Sequence, residues 1–365
     1  MEDEDVRENR RDVTAVGWRS DGKFLAVATV DYVASGTWAN PRLTITDVAE
    51  NVIIVDIELP DNDAASTIHW LPDFTGFVVG LELGTIQVYD FPTFSLRKSF
   101  KSRIGLETTT MASLSPDGRN VAVAAEYYNP LRDNTLEVDD GTIRLRVFDI
   151  MTGTPVAMGR YARSIEEFPR WVSWNPDGTT VALLDTSGRL SIWDFADGSL
   201  NLNRQISTGA RGPIVGGAYN ASGDAVALYG YRTDFVDIIN VETGQTIRTL
   251  DNSSGVRGLH WNWTTNQIAG VSGDGATRSG LVRVWNADTG ALMQTFTFPE
   301  TMTEQVAWSA GGALAIATST TIPKANMSSQ NVLVESPALS PTPTLTDNSE
   351  LTDADGYSSL TFTKP

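Results

Sequence analysis

The stretch "WNPDGTTVALLDTSGRLSIWDF", from Trp174 to Phe195, contains the pattern that decides the fold. An aromatic residue leads into Asn-Pro-Asp-Gly. This sequence suits a tight turn because proline presets φ, aspartate bonds nearby backbone and glycine accepts a positive φ. The segments "TTVALLD" and "RLSIWDF" are rich in β-forming residues and are bounded by turn residues. The stretch therefore predicts the end of one strand, followed by two more strands that turns separate.

The same pattern recurs along the chain, with a bulky residue closing the first strand of each copy. Clear copies begin near Val16, Ala112, Gly217 and Val306, and degenerate copies begin at Ile68 and Leu259. The closing residues, in chain order, are Trp18, Trp70, Leu114, Trp174, Tyr219, Trp261 and Trp308. Their spacing lies mostly in the forties, and a period of that size with four short strands per copy is typical of propeller blades.

The later half of the repeat supports the same interpretation. A glycine precedes the third predicted strand in several copies, and that strand ends in a pair such as Trp193-Asp194. These features resemble the WD40-type β-propeller family over about residues 13–335. Only Trp193-Asp194 keeps the Trp-Asp pair of this family. The Gly-His pair that the family usually carries before the first strand is absent from every copy. The resemblance implies an all-β fold: a seven-bladed β-propeller of four-stranded antiparallel blades, with an extended C-terminal tail.

This interpretation divides the chain into three parts. Residues 1–12 form a charged N-terminal segment, residues 13–335 form the propeller, and residues 336–365 form a tail rich in Pro, Thr, Ser and Asp. Each blade buries one face against the next, so the bulky closing residues are predicted to pack between blades rather than to bind a ligand.

The tail ends in "YSSLTFT", whose alternation of apolar and polar residues predicts a strand. Its candidate assembly residues are Tyr357, Leu360 and Phe362. This strand is predicted either to dock on its own propeller or to add to a sheet edge of a neighbouring copy. A head-to-tail contact of that kind that does not close makes a filament. The sequence leaves open which segment supplies the last blade's fourth strand; "TPTLTD" from Thr342 is one candidate.

Long connections between second and third strands differ most between copies, and such insertions often mark the working face. They begin at Val30, Tyr127, Ser272 and Ser319. Aromatic residues and arginine dominate interface hot spots. The binding-face candidates in these connections are Tyr32, Trp38, Tyr127, Tyr128 and Arg132.

Composition limits the partners. The chain has 365 residues, a formal net charge of −18 and no cysteine. The negative charge argues against nucleic acid, and the absence of cysteine excludes disulfides and thiol chemistry. No apolar run is long enough for a membrane span, and the charged start has no signal-peptide core. Four glycosylation sequons, at Asn220, Asn252, Asn262 and Asn326, slightly favour an exported protein over a cytoplasmic one.

The sequence predicts no catalytic, cofactor or metal site. The two histidines, His69 and His260, occupy the same repeat position, as structural residues do. Carboxylates near the starts of first strands, the only candidates for a propeller hydrolase, are Glu107, Glu166, Glu167 and Glu304. Asp353, Asp355 and Gly356 resemble a fragment of a calcium loop but lack its closing glutamate, so calcium is not expected.

We therefore expect a non-catalytic β-propeller that serves as a protein-interaction or structural assembly module, possessing no cofactor and able to self-assemble through its C-terminal strand. Two alternatives remain open from the sequence. One is a propeller hydrolase or lyase with carboxylates at the channel mouth. The other is a glycan- or peptide-binding module that uses the aromatic loops.

Overall fold

A computed structural model of the chain describes residues 10–33, 37–102, 107–127, 142–162, 167–208, 214–230, 235–251, 255–274, 279–299, 302–319, 331–335 and 362–363. These residues form seven four-stranded sheets, and each sheet takes four strands that are consecutive in sequence. A 3-10 helix, Pro60–Asn62, connects the first two sheets. No helix within these ranges is long and apolar enough to cross a membrane.

The strands have the following bounds. Blade one contains β1 (Arg10–Trp18), β2 (Phe24–Val33), β3 (Thr37–Asp47) and β4 (Val52–Glu58). Blade two contains β5 (Ala65–Trp70), β6 (Gly76–Leu81), β7 (Thr85–Asp90) and β8 (Leu96–Lys101). Blade three contains β9 (Glu107–Leu114), β10 (Asn120–Tyr127), β11 (Thr142–Asp149) and β12 (Pro155–Ala162). Blade four contains β13 (Pro169–Trp174), β14 (Thr180–Asp185), β15 (Arg189–Ala196) and β16 (Ser199–Ser207).

Blade five contains β17 (Ile214–Tyr219), β18 (Ala225–Gly230), β19 (Phe235–Asn240) and β20 (Thr246–Asp251). Blade six contains β21 (Val256–Asn262), β22 (Gln267–Asp274), β23 (Ser279–Asn286) and β24 (Leu292–Phe298). The last sheet contains β25 (Met302–Trp308), β26 (Leu314–Ser319), β27 (Asn331–Glu335) and β28 (Phe362–Thr363).

The tight turns between first and second strands form for the reasons that the sequence indicates. In blade four, Gly178 has a φ of 73°, and the backbone N–H of Thr179 donates to Oδ1 of Asp177 at 2.8 Å. In blade three, Gly118 has a φ of 71° and Asp117 makes the equivalent bond. Glycine accepts a positive φ without a steric penalty, so the Pro-Asp-Gly pattern sets these turns locally.

Seven apolar clusters hold the sheets in a closed ring. Each cluster takes its buried residues from two neighbouring sheets. The ring closes between the first and last sheets, where Val13, Leu25 and Val27 pack against Ala315 and Ala317. Because every blade buries its faces against its neighbours, the blades depend on one another for stability.

The bulky residues that close the first strands lie in these inter-blade cores, as the repeat predicts. Trp174, Tyr219, Trp261 and Trp308 are at most 5% exposed. Trp70 is also buried, at 8% exposed, and Trp18 and Leu114 are partly buried against a core cluster. Large aromatic side chains therefore fill the space where consecutive blades meet.

Six sheets are four-stranded and antiparallel throughout, which confirms a β-propeller with blades of that kind. The last sheet departs from the prediction. Its fourth strand is the two-residue β28, which pairs in parallel with β27: Val334 is opposite Phe362 and Glu335 is opposite Thr363. A segment 28 residues further along the chain thus supplies this strand. The candidate "TPTLTD" from Thr342 lies outside the described residues.

The domain boundaries of the propeller remain predictions, and the structure adds where the first strand begins. The first strand begins at Arg10, inside the segment that we predict to be a charged N-terminal extension. Arg11 and Asp12 pair with Asp31 and Val30 of the second strand. These charged residues thus belong to the first sheet.

Candidate functional site

The strands of the β2–β3 hairpin of blade one are longer than their counterparts in the other sheets. Its strands have 10 and 11 residues, whereas β6 and β7 of blade two have 6 each. The extra length lies at the tip, where Tyr32 pairs with Trp38 and Val33 with Thr37. Residues 30–33 and 37–41 of the segment predicted as a loop therefore extend the sheet instead, and residues 34–36 lie outside the described residues. Alternating pairs across the hairpin continue the ladder, which is why the loop prediction is wrong there.

A buried ion pair fixes this hairpin next to its tip. Asp31 is 1% exposed, and its carboxylate accepts hydrogen bonds from Arg11 Nε at 2.5 Å and Nη2 at 3.0 Å. Asn40 Nδ2 donates to the same carboxylate at 3.1 Å. Asn40 has a φ of 51°, a conformation that asparagine tolerates better than most residues. A two-point arginine–carboxylate bond is directional, so it holds the hairpin in one orientation.

The hairpin presents two of the predicted binding residues together. Tyr32 and Trp38 are direct cross-strand partners, so their side chains lie on the same face. Tyr32 is half-buried, while Trp38 is 44% exposed. Asn62 Nδ2 donates to the backbone oxygen of Trp38 at 2.8 Å and fastens the tip to the neighbouring connection. We call the Tyr32–Trp38 pair and its supporting hairpin the aromatic hairpin.

The side chains of the other three binding-face candidates lie outside the described part of the structure. Tyr127 is the last residue of β10 and pairs with Glu107. Tyr128 and Arg132 lie outside the described residues. The structure therefore brings together two of the five candidates and leaves the other three as predictions.

The assembly candidates divide in a similar way. Phe362 lies in β28 and pairs with Val334 of its own chain. Tyr357 and Leu360 lie outside the described residues. The pairing of Phe362 is the arrangement expected if the tail docks on its own propeller.

Both histidines connect neighbouring blades. The Nε2 of His69 donates to the backbone oxygen of Ala112 at 3.2 Å, and the backbone N–H of Trp308 donates to Nδ1 of His260 at 3.4 Å. Burial lowers the pKa of both side chains, and the pKa of His260 falls to about 4. Both imidazoles are therefore neutral at pH 7, consistent with a structural role at equivalent positions of two repeats.

The described carboxylate candidates have cationic neighbours. Glu167 Oε1 is 2.9 Å from Arg189 Nη2, and Glu304 Oε1 is 3.9 Å from Arg257 Nη1. Glu167 precedes the first strand of blade four, whereas Glu304 lies in β25 of the last sheet. The side chains of Glu107 and Glu166 are outside the described part of the chain.

Within the described residues, no group of three His, Asp or Glu side chains is arranged to hold a metal ion. The calcium-loop fragment at Asp353, Asp355 and Gly356 lies outside those residues.

One of the four glycosylation sequons is poorly accessible. Asn262 is 2% exposed, and its Oδ1 accepts hydrogen bonds from the backbone N–H groups of Thr264 and Thr265.

Sequence reasoning missed a buried network in blade four. Asp185 is completely buried, and its Oδ1 accepts bonds from Ser187 N at 3.0 Å, Ser187 Oγ at 2.5 Å and Arg189 N at 3.1 Å. The hydroxyl of Tyr161, on the preceding blade, donates to Oδ2 at 3.2 Å. An aspartate directly before Thr-Ser-Gly was the available signal, because aspartate often bonds the backbone of its own turn.

Comparisons with known proteins support the fold and go no further. No protein-family model and no curated protein matches the chain. Among solved structures, 1721 chains are similar, which shows how widespread this fold is. One is a chain of the "Crystal Structure of Mitotic Checkpoint Complex", with a TM-score of 0.61 and 15% identity. The similarity covers 84% of this chain and 83% of that chain. At this identity the likeness supports the propeller fold alone.

Proposed function

We propose that this protein is a non-catalytic interaction propeller that binds a partner protein through the aromatic hairpin of blade one. The last sheet acts in this proposal as the seventh blade. The exposed side chain of Trp38 on an anchored support is the observation that supports the assignment. An exposed tryptophan held on rigid backbone loses little conformational entropy on binding, and tryptophan is enriched in binding hot spots.

The test compares two exposed tryptophans on opposite ends of the propeller. Trp38 lies at the end of the propeller that carries the connections between second and third strands. Trp263 lies at the opposite end, in a turn between a first and a second strand, and is 56% exposed. Immobilised wild-type protein, Trp38→Ala and Trp263→Ala are each exposed to cell extract of the source. The proposal expects specific partners that Trp38→Ala loses and Trp263→Ala retains, with an unchanged melting temperature for Trp38→Ala. Identical capture by all three proteins would overturn it.

The hydrolase or lyase alternative has weaker support. The two described candidate carboxylates, Glu167 and Glu304, belong to different blades, and each has an arginine beside it. An inverting or retaining glycosidase needs two carboxyl groups about 5–10 Å apart across its cleft. A screen of glycoside and peptide substrates would favour this alternative only if activity disappeared in Glu167→Gln or Glu304→Gln protein.

Self-assembly is a second candidate function, and the short fourth strand of the last sheet is the observation that favours it. Within the described residues, the strand β28 pairs with Val334 and Glu335 at the outer edge of β27. Parallel pairing of two residues is a small contact, and sheet edges accept added strands. In this proposal the C-terminal strand exchanges between copies and joins propellers head to tail.

Removal of residues 356–365 tests this exchange. Light scattering and electron microscopy should show particles that are larger than one chain for the full-length protein and a single chain for the truncated one. If the particle size is the same for both proteins, strand exchange is wrong and the tail docks within its own chain.

A further inference from the structure

A cleft of about 380 Å³ lies between blades three and four. The turns between the first and second strands of both blades form its walls. The cleft therefore opens at the end of the propeller opposite to the aromatic hairpin. The residues that line the cleft include Pro116, Asp117, Trp174, Asp177 and Phe195. All of them lie in the described part of the chain.

One wall of the cleft is aromatic. Trp174 is 4% exposed, and its ring meets that of Phe195 edge to face, with centroids 5.1 Å apart. The indole nitrogen of Trp174 is buried and has no hydrogen-bond partner within the described residues. Pro116 adds apolar surface from blade three. A wall of this kind suits the hydrocarbon part of a long side chain and the flat face of a cation.

Two carboxylates line the same cleft. Asp177 Oδ1 accepts bonds from Thr179 N at 2.8 Å and from Thr179 Oγ1 at 2.9 Å. Asp117 Oδ1 accepts bonds from Ser115 Oγ at 2.6 Å and from Arg119 N at 3.0 Å. Each turn therefore fixes one carboxylate oxygen and so orients the other, Oδ2.

The second oxygen of Asp117 is weakly engaged. Arg119 Nε is 4.0 Å from Asp117 Oδ2, and its side chain is 82% exposed. An exposed ion pair at that distance contributes little and is readily exchanged. Both aspartates are exposed at the rim of the cleft. Negative charge at the rim and an aromatic wall inside are complementary to a cation on a flexible stem.

We propose that this cleft binds the side chain of an arginine or lysine from an extended segment of a partner protein. The stem packs against Trp174 and Phe195, and the cationic head bonds Asp117 and Asp177. The net charge of −18 favours the approach of a basic segment. This site is separate from the aromatic hairpin and does not depend on the function proposed for it.

The probe for this site is acetyl-arginine-amide, with acetyl-citrulline-amide as a neutral compound of nearly the same shape. Both are titrated into ¹⁵N-labelled protein, and the indole N–H signal of Trp174 is followed by NMR. Trp174→Phe assigns that signal, and this substitution breaks no observed indole hydrogen bond. The arginine compound should shift the signal with saturation, while the citrulline compound should bind at least five-fold more weakly.

Asp177→Asn and Asp73→Asn form a matched pair of variants. Asp73 has the same place in the turn of blade two and accepts bonds from Thr75 N and Oγ1 at 3.0 and 2.8 Å. Asparagine keeps the oxygen that each turn uses, so both variants should fold. Affinity should fall at least five-fold in Asp177→Asn and stay unchanged in Asp73→Asn. The proposal is overturned if there is no saturation, if citrulline binds equally well, or if both variants weaken binding equally.

Discussion

The imidazole of His260 should stay neutral at pH values where an ordinary histidine is charged. Burial lowers its pKa from 6.5 to about 4. Its Nδ1 accepts the backbone N–H of Trp308 at 3.4 Å, and that bond requires an unprotonated nitrogen. Protonation would break this contact and place a charge between two blades. Acidification therefore perturbs the interface between blade six and the last sheet, and the His260→Gln variant isolates that contribution.

The size of the effect follows from the separation of the two pKa values. The unfolded chain takes up the proton first, because its histidine pKa is the higher one. The stability that neutral His260 contributes is thus complete above about pH 6.5 and is lost as the pH falls towards 4. A separation of about 2.5 pKa units corresponds to about 3 kcal/mol in total. Between pH 7.5 and 4.5, wild-type protein should lose about 2.5 kcal/mol more than His260→Gln protein.

The assay is direct because the chain has only two histidines. An NMR titration therefore shows two imidazole signals, and His69→Gln identifies which is which. Urea denaturation of wild-type and His260→Gln protein across the same pH range gives the free energy of unfolding. The reasoning is refuted if His260 titrates near 6.5, or if the two stability curves stay parallel.

Substitutions at three positions test the remaining structural arguments by urea denaturation. Asp185→Ala removes a buried acceptor of four hydrogen bonds and should cost about 3–5 kcal/mol, whereas Asp185→Asn should cost less. Equal effects would contradict the importance of the backbone bonds. Trp174→Ala should cost about 3–5 kcal/mol, the range for a buried aromatic side chain, and an unchanged curve would mean that it is not in the core. Trp38→Ala should change stability by less than about 0.5 kcal/mol; a large loss would show a packing role.

The blades could be predicted because their determinants are local. The turn at Asp177 and Gly178 depends on residues within a few positions, and the strands on either side follow the period of the repeat. The fourth strand of the last sheet could not be predicted in this way. The pairing of Phe362 with Val334 depends on which distant segment reaches the open edge, and a two-residue strand has almost no pattern of its own.

The candidate site was predictable in part for a similar physical reason. Aromatic residues in the first long connection pointed to Tyr32 and Trp38. Their support was not visible, because Arg11 and Asp31 meet only through the strand register and are 20 positions apart. Tyr161 and Asp185 meet across two blades, and no local pattern joins them. The contacts that hold these side chains in place thus depend on tertiary packing, and the repeat pattern does not predict them.

Hydrogen bonds between blades give the proposed cleft a physical context. Trp18 Nε1 donates to Ala307 O at 3.0 Å, and Trp70 Nε1 donates to Gly17 O at 3.0 Å. Each acceptor precedes the closing tryptophan of the neighbouring blade by one residue. The equivalent acceptor for Trp174 is the backbone oxygen of Ser113, yet the buried Trp174 Nε1 has no partner in the described structure.

The missing bond at Trp174 coincides with the cleft. Trp308 Nε1 also has no partner there, so the lost bond alone does not define a site. At Trp174, however, the indole lines an opening that two fixed carboxylates flank. Leaving a buried N–H unpaired costs about 1–3 kcal/mol, so the interface of blades three and four gives up stability that blades one and two retain. A segment that binds this cleft only in the folded protein would offset part of that loss, and the melting temperature should then rise with ligand concentration.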